Sequence, residues 1–499
     1  MPWFLAVSWF MPLSSQNRSK VVIIGSGFSG ICLGIKLKEA GLNDFLILEK
    51  AEDVGGTWRE NHYPGAACDI PSALYSYSFE HNSEWKYKWS KQAQIFEYQK
   101  SIANKYSLYQ HTRFGQNVIS ASFDDTLQLW TVTTVSQEVF TAQHLVSAVG
   151  QLHCPSTPHF PDDNTFTGAS FHAANWDHSV SLKGKRAAVI GSAASALQFI
   201  PEIAKELTHL TVFQRSPNWV IPKLDRPYKP WEQWLSDKFS FITKLYRLKI
   251  WLTGEYLLLP AMRKNRLVRA HIRRINQKMM KASIADTSLR KKLTPDYPVG
   301  SKRILFSNNY YDAIARDNVY LDTSGIEKFT PDGILRKDGI EEPFDVIIYG
   351  TGFKTNPFLE AIDIKGLHGK SLREAWSNGA EAYLGVSTHG FPNMHMMYGP
   401  NTNLAHNSII IMIEAQSRYI VDCITGMDDR KLATIEVKKD SEKSYNEELQ
   451  NRLRKMAFYE IEHSWYMDGG KVTNNWAGGT VEYKRRMRHF PWADYQAVE

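Results

Sequence analysis

The chain has 499 residues, 43% of them apolar and 22% charged; the length suits roughly three ordinary domains, and the composition excludes a disordered or fibrous polypeptide. A net charge of +7 suits anionic nucleotides, but no basic run interleaves with a nucleic-acid motif, so no nucleic-acid partner is expected. Cys32, Cys68, Cys154 and Cys423 lack C-x-x-C or His pairing, which argues against a zinc site or a disulfide framework and points to a reducing cytoplasm.

Residues 1–19 form an extension whose first part, Met1 to Leu13, is apolar and uncharged. The first cations, Arg18 and Lys20, follow the apolar run, which is the wrong order for a secretory signal, and the run is too short to span a bilayer. An extension packed on the protein or disordered is expected. Weak membrane contact and a start codon placed too early stand as alternatives.

A buried parallel strand is predicted at Val21-Val-Ile-Ile24, followed by the turn Gly25-Ser-Gly27-Phe-Ser-Gly30 and a helix through Lys38. Gly25 permits the tight turn, Gly27 lets backbone amides approach a pyrophosphate, and Gly30 lets the helix pack on the strand. The second strand, Phe45 to Leu48, ends at Glu49, nineteen residues beyond Gly30. A carboxylate there accepts the two ribose hydroxyls of an adenosine and repels a 2′-phosphate, so the first site is expected to hold FAD rather than NADP. Next come Gly55-Gly56-Thr57-Trp58, whose glycines allow the chain to hug a flat ligand that Trp58 could wall, then Tyr63-Pro-Gly65 and Cys68-Asp69. A later strand is predicted at Leu145 to Val149, ending at Gly150.

The run Phe166-Thr-Gly168-Ala-Ser-Phe-His172-Ala-Ala-Asn-Trp176-Asp177 ends fourteen residues before a second dinucleotide turn, Gly191-Ser192-Ala193-Ala-Ser195-Ala196. That turn follows the strand Arg186 to Ile190 and opens a helix ending near Glu206. Two nucleotides are therefore expected. Alanine replaces the middle glycine at Ala193, which raises the prospect of a looser pyrophosphate contact. After the next strand, Leu210 to Phe213, Arg215 and Ser216 stand where an NAD enzyme would carry an acid. A guanidinium and a hydroxyl there match a 2′-phosphate, so NADPH is the expected reductant.

From about 228 to 290 the pattern turns helical, with Leu245, Leu248 and Leu252 at helical spacing and cations gathering from Arg263 to Arg274. We expect a helical insertion over the cleft, with a packed apolar stripe and a solvated charged face. A membrane-surface or partner-docking role is the alternative. Beyond it lie Lys302-Arg303 ahead of Tyr310-Tyr311, then the strand and turn Asp345-Val-Ile-Ile-Tyr-Gly350-Thr-Gly352-Phe353, and the loop Gly399-Pro-Asn-Thr-Asn403-Leu-Ala-His406-Asn407. Trp465, Tyr466 and Trp476 are candidates for pocket lining or for plain core.

Read as F-x-G-x-x-x-H-x-x-x-W-P/D, the run from Phe166 to Asp177 resembles the fingerprint of type I Baeyer–Villiger monooxygenases, and the resemblance extends from Lys20 to about Arg488. It implies an α/β protein of two Rossmann-like dinucleotide-binding domains: an FAD domain over 20–150 and 346–499, and between them an NADP domain over 151–345 carrying the insertion. The resemblance runs the G-G-T-W string along the flavin and sets Asp69 near the isoalloxazine, where a turn-capping Asx role is the alternative. It also makes Arg303 the catalytic cation held by Asp69, lets Lys302 reach the 2′-phosphate, returns the chain to the FAD domain at Gly352, and turns Asn403 toward the flavin. The implied reaction uses NADPH and a C4a-peroxyflavin to insert one oxygen atom of O2 beside a ketone carbonyl, giving an ester or lactone; thioethers are a further expected substrate class. Relatives that oxygenate nitrogen or sulfur share the two-nucleotide plan but lack the Trp176-Asp177 ending. A disulfide reductase would need a second cysteine near Cys68. A non-catalytic nucleotide-binding or membrane-associated module is the third alternative. A cytoplasmic monomer or homodimer is expected, with membrane contact through the extension or the insertion not favoured.

Overall fold

In a strand such as Val21 to Ile24 every side chain is apolar, so both faces need cover. The computed structural model, which describes residues 17–356, 358–461 and 466–498, supplies it. The apolar extension up to residue 16 and Trp465 lie outside the described residues. Val21 and Ile23 pack into one core, while Val22 and Ile24 pack into another on the opposite face.

This strand, β1 (Arg18–Ile24), is followed by α1 (Phe28–Glu39), β2 (Phe45–Leu48), the single-turn α2 (Thr57–Glu60) and α3 (Gln92–Lys105). The strands β3 (Thr112–Arg113), β4 (Val118–Asp124), β5 (Leu129–Thr134) and β6 (Val139–Ser147) complete the first pass through the sheet. β1 pairs in parallel with both β2 and β6, and β4, β5 and β6 form an antiparallel meander beside them. Two strands from far along the chain, Asp363–Lys365 and Met394–Met396, join the same sheet beside β4 and β6.

The second sheet is wholly parallel. It contains β7 (Ala169–His172), β8 (Arg186–Ile190) and β9 (His209–Phe213), with α4 (Ala194–Ile203) between the last two. With Val319–Asp322 and Val346–Tyr349 the order is Val319–Asp322, β9, β8, Val346–Tyr349, β7. The two-residue period recurs: Ala187 and Val189 enter one core, Ala188 and Ile190 the other. Because Val346–Tyr349 pairs with β7 and β8, the chain leaves this sheet after Tyr349, a few residues beyond the expected boundary at 345. The fingerprint spans the edge strand β7 and the turn after it.

The two crossings between the sheets lie side by side. Ser156 N donates to Gly352 O at 2.9 Å, and Lys354 N donates to Cys154 O at 2.9 Å.

The insertion comprises α5 (Pro230–Lys238), α6 (Ser240–Thr253), one π-helical turn (Gly254–Leu258), α7 (Leu259–Met262) and α8 (Arg266–Ser283). Its own small core joins Leu258, Ala261 and Ile272 to Trp219 and Tyr297. The stripe of Leu245, Leu248 and Leu252, expected to be packed, is exposed: α6 is fixed by its other face, where Arg247 donates to Ala73 O and Ser76 Oγ. Among the described residues no helix is long and apolar enough to cross a membrane.

Candidate active site

The two Gly-rich turns are built alike. Gly25 and Gly191 each adopt φ +103°, a left-handed conformation that disfavours side chains, and a Cβ on either would meet a carbonyl oxygen of the crossing chain, Ala148 O at 2.8 Å or Gly350 O at 2.6 Å. Gly30 must also be glycine, since its Cβ would lie 2.0 Å from Gly25 O. Ala193 takes the backbone of Gly27 almost to the degree, φ −80° and ψ −163° against −78° and −165°. The missing glycine therefore leaves the backbone geometry of the turn intact, and the added methyl belongs to an exposed residue.

A cavity of about 390 Å³ runs from the first turn to the face of the second. Gly25, Gly27, Glu49, Gly56, Thr57 and Trp58 line one end of it, and Asp69, Ser195, Arg303 and Asn403 the other. Two features of the wall fit a long polar ligand. A Cβ on Gly27 would have only Gly56 Cα near it, at 3.7 Å, so the turn presents bare backbone to open space. Two buried polar atoms in the lining, His153 Nδ1 and Gln116 Oε1, have no protein partner. Glu49 is buried and held by Ser26, whose N and Oγ donate to Oε2 at 2.9 and 2.8 Å, and by Arg59, whose Nη1 lies 3.3 Å from Oε1. This carboxylate, expected to be free for ribose hydroxyls, is thus already tethered at the cavity wall. Trp58 is buried, its indole donating to Tyr75 Oη at 3.1 Å.

At the other end the Arg303 guanidinium lies 3.3 Å from Asp69 Oδ2, with 38% of its side chain accessible. Burial alone would lower its pKa, but the Asp69 carboxylate and the Tyr466 and Tyr63 phenols outweigh that and hold it above the usual arginine value, so it stays a cation. Its main-chain N donates to Tyr466 Oη at 3.1 Å. Asp69 Oδ1 accepts from Gln198 Nε2 at 3.1 Å; Gln198 also donates to Ala67 O and accepts from Tyr63 Oη and Ala67 N. Gln198 belongs to α4 of the second sheet, so one amide ties the two units together at the cation. Sequence reading missed it. The available signal was a lone amide within the apolar run Ala194 to Ile203.

The side chains expected at a 2′-phosphate come together elsewhere. Lys302 Nζ donates to Ser216 Oγ at 3.2 Å, and Ser192 Oγ donates to Ser216 O at 3.4 Å. Burial, and then the neighbouring Arg215, pull the Lys302 pKa below its ordinary value. Arg215 itself is exposed, next to the Gly191 turn. Consecutive residues thus face different clusters, Lys302 toward Ser216 and Arg303 toward Asp69.

The fingerprint residues make a joint. Phe166 stacks edge-on against Phe329, and a Cβ on Gly168 would strike Asp345 O at 2.6 Å. His172 Nδ1 accepts from Ala174 N at 3.0 Å, its ring packs against Phe353 just after Gly352, and burial lowers its pKa. Trp176 packs on Phe171 and Phe199, while Asp177 is exposed and caps Ser179. Asn403 Oδ1 accepts from Tyr398 Oη at 2.7 Å, and its amide donates to Asn474; the helix Ile410–Arg430 starts close behind, with Ile409 and Ile413 in the cavity lining. Of the late aromatics, Tyr466 reaches Arg303 while Trp476 is plain core against Tyr483. Burial raises the Cys68 thiol, which does not suit a redox thiolate.

A match to the flavin-binding monooxygenase-like family covers residues 18–452. A Baeyer–Villiger monooxygenase of Pseudomonas aeruginosa is 39% identical over 501 residues, spanning 98% of this chain and 94% of its own. Among solved structures, an oxidized steroid monooxygenase bound to NADP superposes with a TM-score of 0.87 at 28% identity, covering 97% of this chain and 100% of its own. OTEMO in complex with FAD and NADP gives 0.85 at 28% identity, covering 96% and 99%.

Proposed function

The chain belongs to the flavin-binding monooxygenase-like family, within its Baeyer–Villiger members, and from that premise we propose how its residues divide the work of inserting one oxygen atom of O2 beside a ketone carbonyl. The cofactors are FAD and NADPH. FAD takes the cavity between the Gly25 turn and Arg303, and NADPH takes the Gly191 turn, where Arg215, Ser216 and Lys302 receive the 2′-phosphate. Held there, FAD reduced by NADPH would supply the nucleophilic oxygen drawn from O2.

The observation that carries this division is the Asp69–Arg303 pair in the cavity wall. A permanent cation there favours an anionic oxygen nucleophile and stabilises the negative oxygen that forms when a ketone carbonyl is attacked. Asp69 fixes the guanidinium, Gln198 fixes Asp69, and the Tyr466 phenol fixes the Arg303 backbone. The apolar residues Leu258, Phe306 and Phe353 exclude water from the same wall. Four free thiols support a cytoplasmic setting. Monomer and homodimer both accord with this assignment.

The test is product analysis with NADPH on a panel of cyclic, aryl and long-chain ketones, with amines and thioethers alongside. A yellow protein that yields esters or lactones is expected, with some sulfoxide. N-oxides or sulfoxides without any ester would favour the N- or S-oxygenating alternative instead.

A further inference from the structure

The insertion leaves an apolar face that nothing in the described residues covers. On α6, Phe241, Leu245, Leu248 and Leu252 follow the helical period on one side and are 57%, 59%, 48% and 40% accessible. α5 adds Trp231 and Trp234, each 57% accessible, and Phe239 bridges the two helices, 6.2 Å from Trp234 and 6.1 Å from Phe241. A continuous apolar face of this kind marks an interaction surface.

The charges around it indicate the partner. Lys244 and Lys249 are exposed and sit on either flank of the α6 stripe, and Lys238 stands at the junction with α5. Between Lys238 and Lys281 the only carboxylate is Glu255, and it is turned inward, accepting from Thr480 N and Oγ at 3.0 and 2.7 Å. We propose that this face docks on a membrane surface rich in anionic phospholipid, with α6 lying in the plane of the interface.

An interfacial helix buries its apolar side at the acyl boundary while flanking lysines extend to the headgroups and tryptophans settle at the same depth. α6 is tied to the protein on its inner side by Arg247, so its outer face is presented as a fixed platform. At 14 residues it is too short to cross a bilayer. A second copy of the chain fits the face poorly. A two-fold contact would set Lys244 and Lys249 against their own copies, and the one exposed carboxylate at this face, Asp237, already lies 3.5 Å from Lys238. The helix also runs directly into the π-helical turn whose Leu258 lines the cavity, so docking would bring the active-site wall close to a lipid phase in which apolar ketones dissolve.

The full-length, FAD-loaded protein is to be sedimented with vesicles of phosphatidylcholine alone and of equal phosphatidylcholine and phosphatidylglycerol. Binding to the anionic vesicles, weakened by added salt, is expected. Lys244→Gln with Lys249→Gln should weaken it about thirtyfold, from roughly fivefold per cation. Leu245→Asp with Leu248→Asp should remove it while NADPH oxidation persists. The proposal fails if the wild type ignores both vesicles, or if the aspartate variant binds as well as wild type. A concentration-dependent dimer that the aspartate variant dissolves, without vesicle binding, would assign the face to a second copy and overturn it too.

Discussion

Asp69→Asn isolates the proposed role of the Asp69–Arg303 pair. The amide is nearly isosteric, and its Oδ1 can still accept from Gln198 Nε2, now 3.1 Å away, so the loop and α4 keep their contact. What disappears is the negative charge 3.3 Å from the guanidinium. At an effective dielectric near 20 the lost attraction is about 5 kcal/mol before solvent screening. With 38% of the arginine and 24% of the aspartate side chain accessible, a net loss of about 2 kcal/mol is the appropriate scale, that of one charge-assisted hydrogen bond. Oxygenation should therefore slow roughly thirtyfold and peroxide release should rise, while anaerobic flavin reduction by NADPH, followed by stopped flow, changes less than about threefold. In an Arg303→Ala background the substitution should have little further effect, because both act through one cation. Wild-type ester formation by Asp69→Asn would refute the reasoning. So would equal slowing of reduction and oxygenation, which would place Asp69 in nucleotide geometry.

Arg303→Ala should abolish ester formation yet allow NADPH to reduce the flavin, and Arg303→Lys should rescue little because an ammonium lacks the planar fork; product analysis beside stopped-flow spectra checks both. Arg215→Ala should raise the Michaelis constant for NADPH by roughly thirtyfold, on the scale of about 2 kcal/mol, and leave NADH nearly unaffected; equal losses with both would make Arg215 structural. His172→Ala should keep FAD but increase uncoupled peroxide release, because the imidazole braces β7 against the Phe353 crossing; loss of one ionisation with coupling intact would instead indicate proton transfer. His144 and His395 stack fully buried, and burial drives the His395 pKa from 6.5 down to about 4. Below about pH 6.5 the unfolded chain takes up protons that the folded one refuses, so stability should fall with acid, His395 alone contributing about 3 kcal/mol of loss at pH 4. A melting temperature flat from pH 6.5 to 4 would contradict this.

The strands and Gly-rich turns were legible because short-range rules govern them. The tight turns at Gly25 and Gly191 and the all-apolar β1 each sit within a single βαβ unit. Contacts made across units were not legible. Gln198 reads as one amide in an apolar helix until folding sets it opposite Asp69. Even within one unit, Glu49 was assigned to ribose without its tether to Ser26, because spacing along the chain does not state which side chains meet. The α6 stripe had the right period for a packed face, but periodicity states only that a helix is two-sided, not what covers either side.

The paired crossings at Cys154–Ser156 and Gly352–Lys354 also bear on how the chain gains its order. To the first sheet, the inserted unit behaves as a loop whose two ends already touch. β6 and Met394–Met396 can pair as soon as those ends meet, whatever the state of the residues between. Either unit can then condense first, and a chain permuted to begin within an exposed loop of the inserted unit would still bring the halves of the first sheet together through this common doorway.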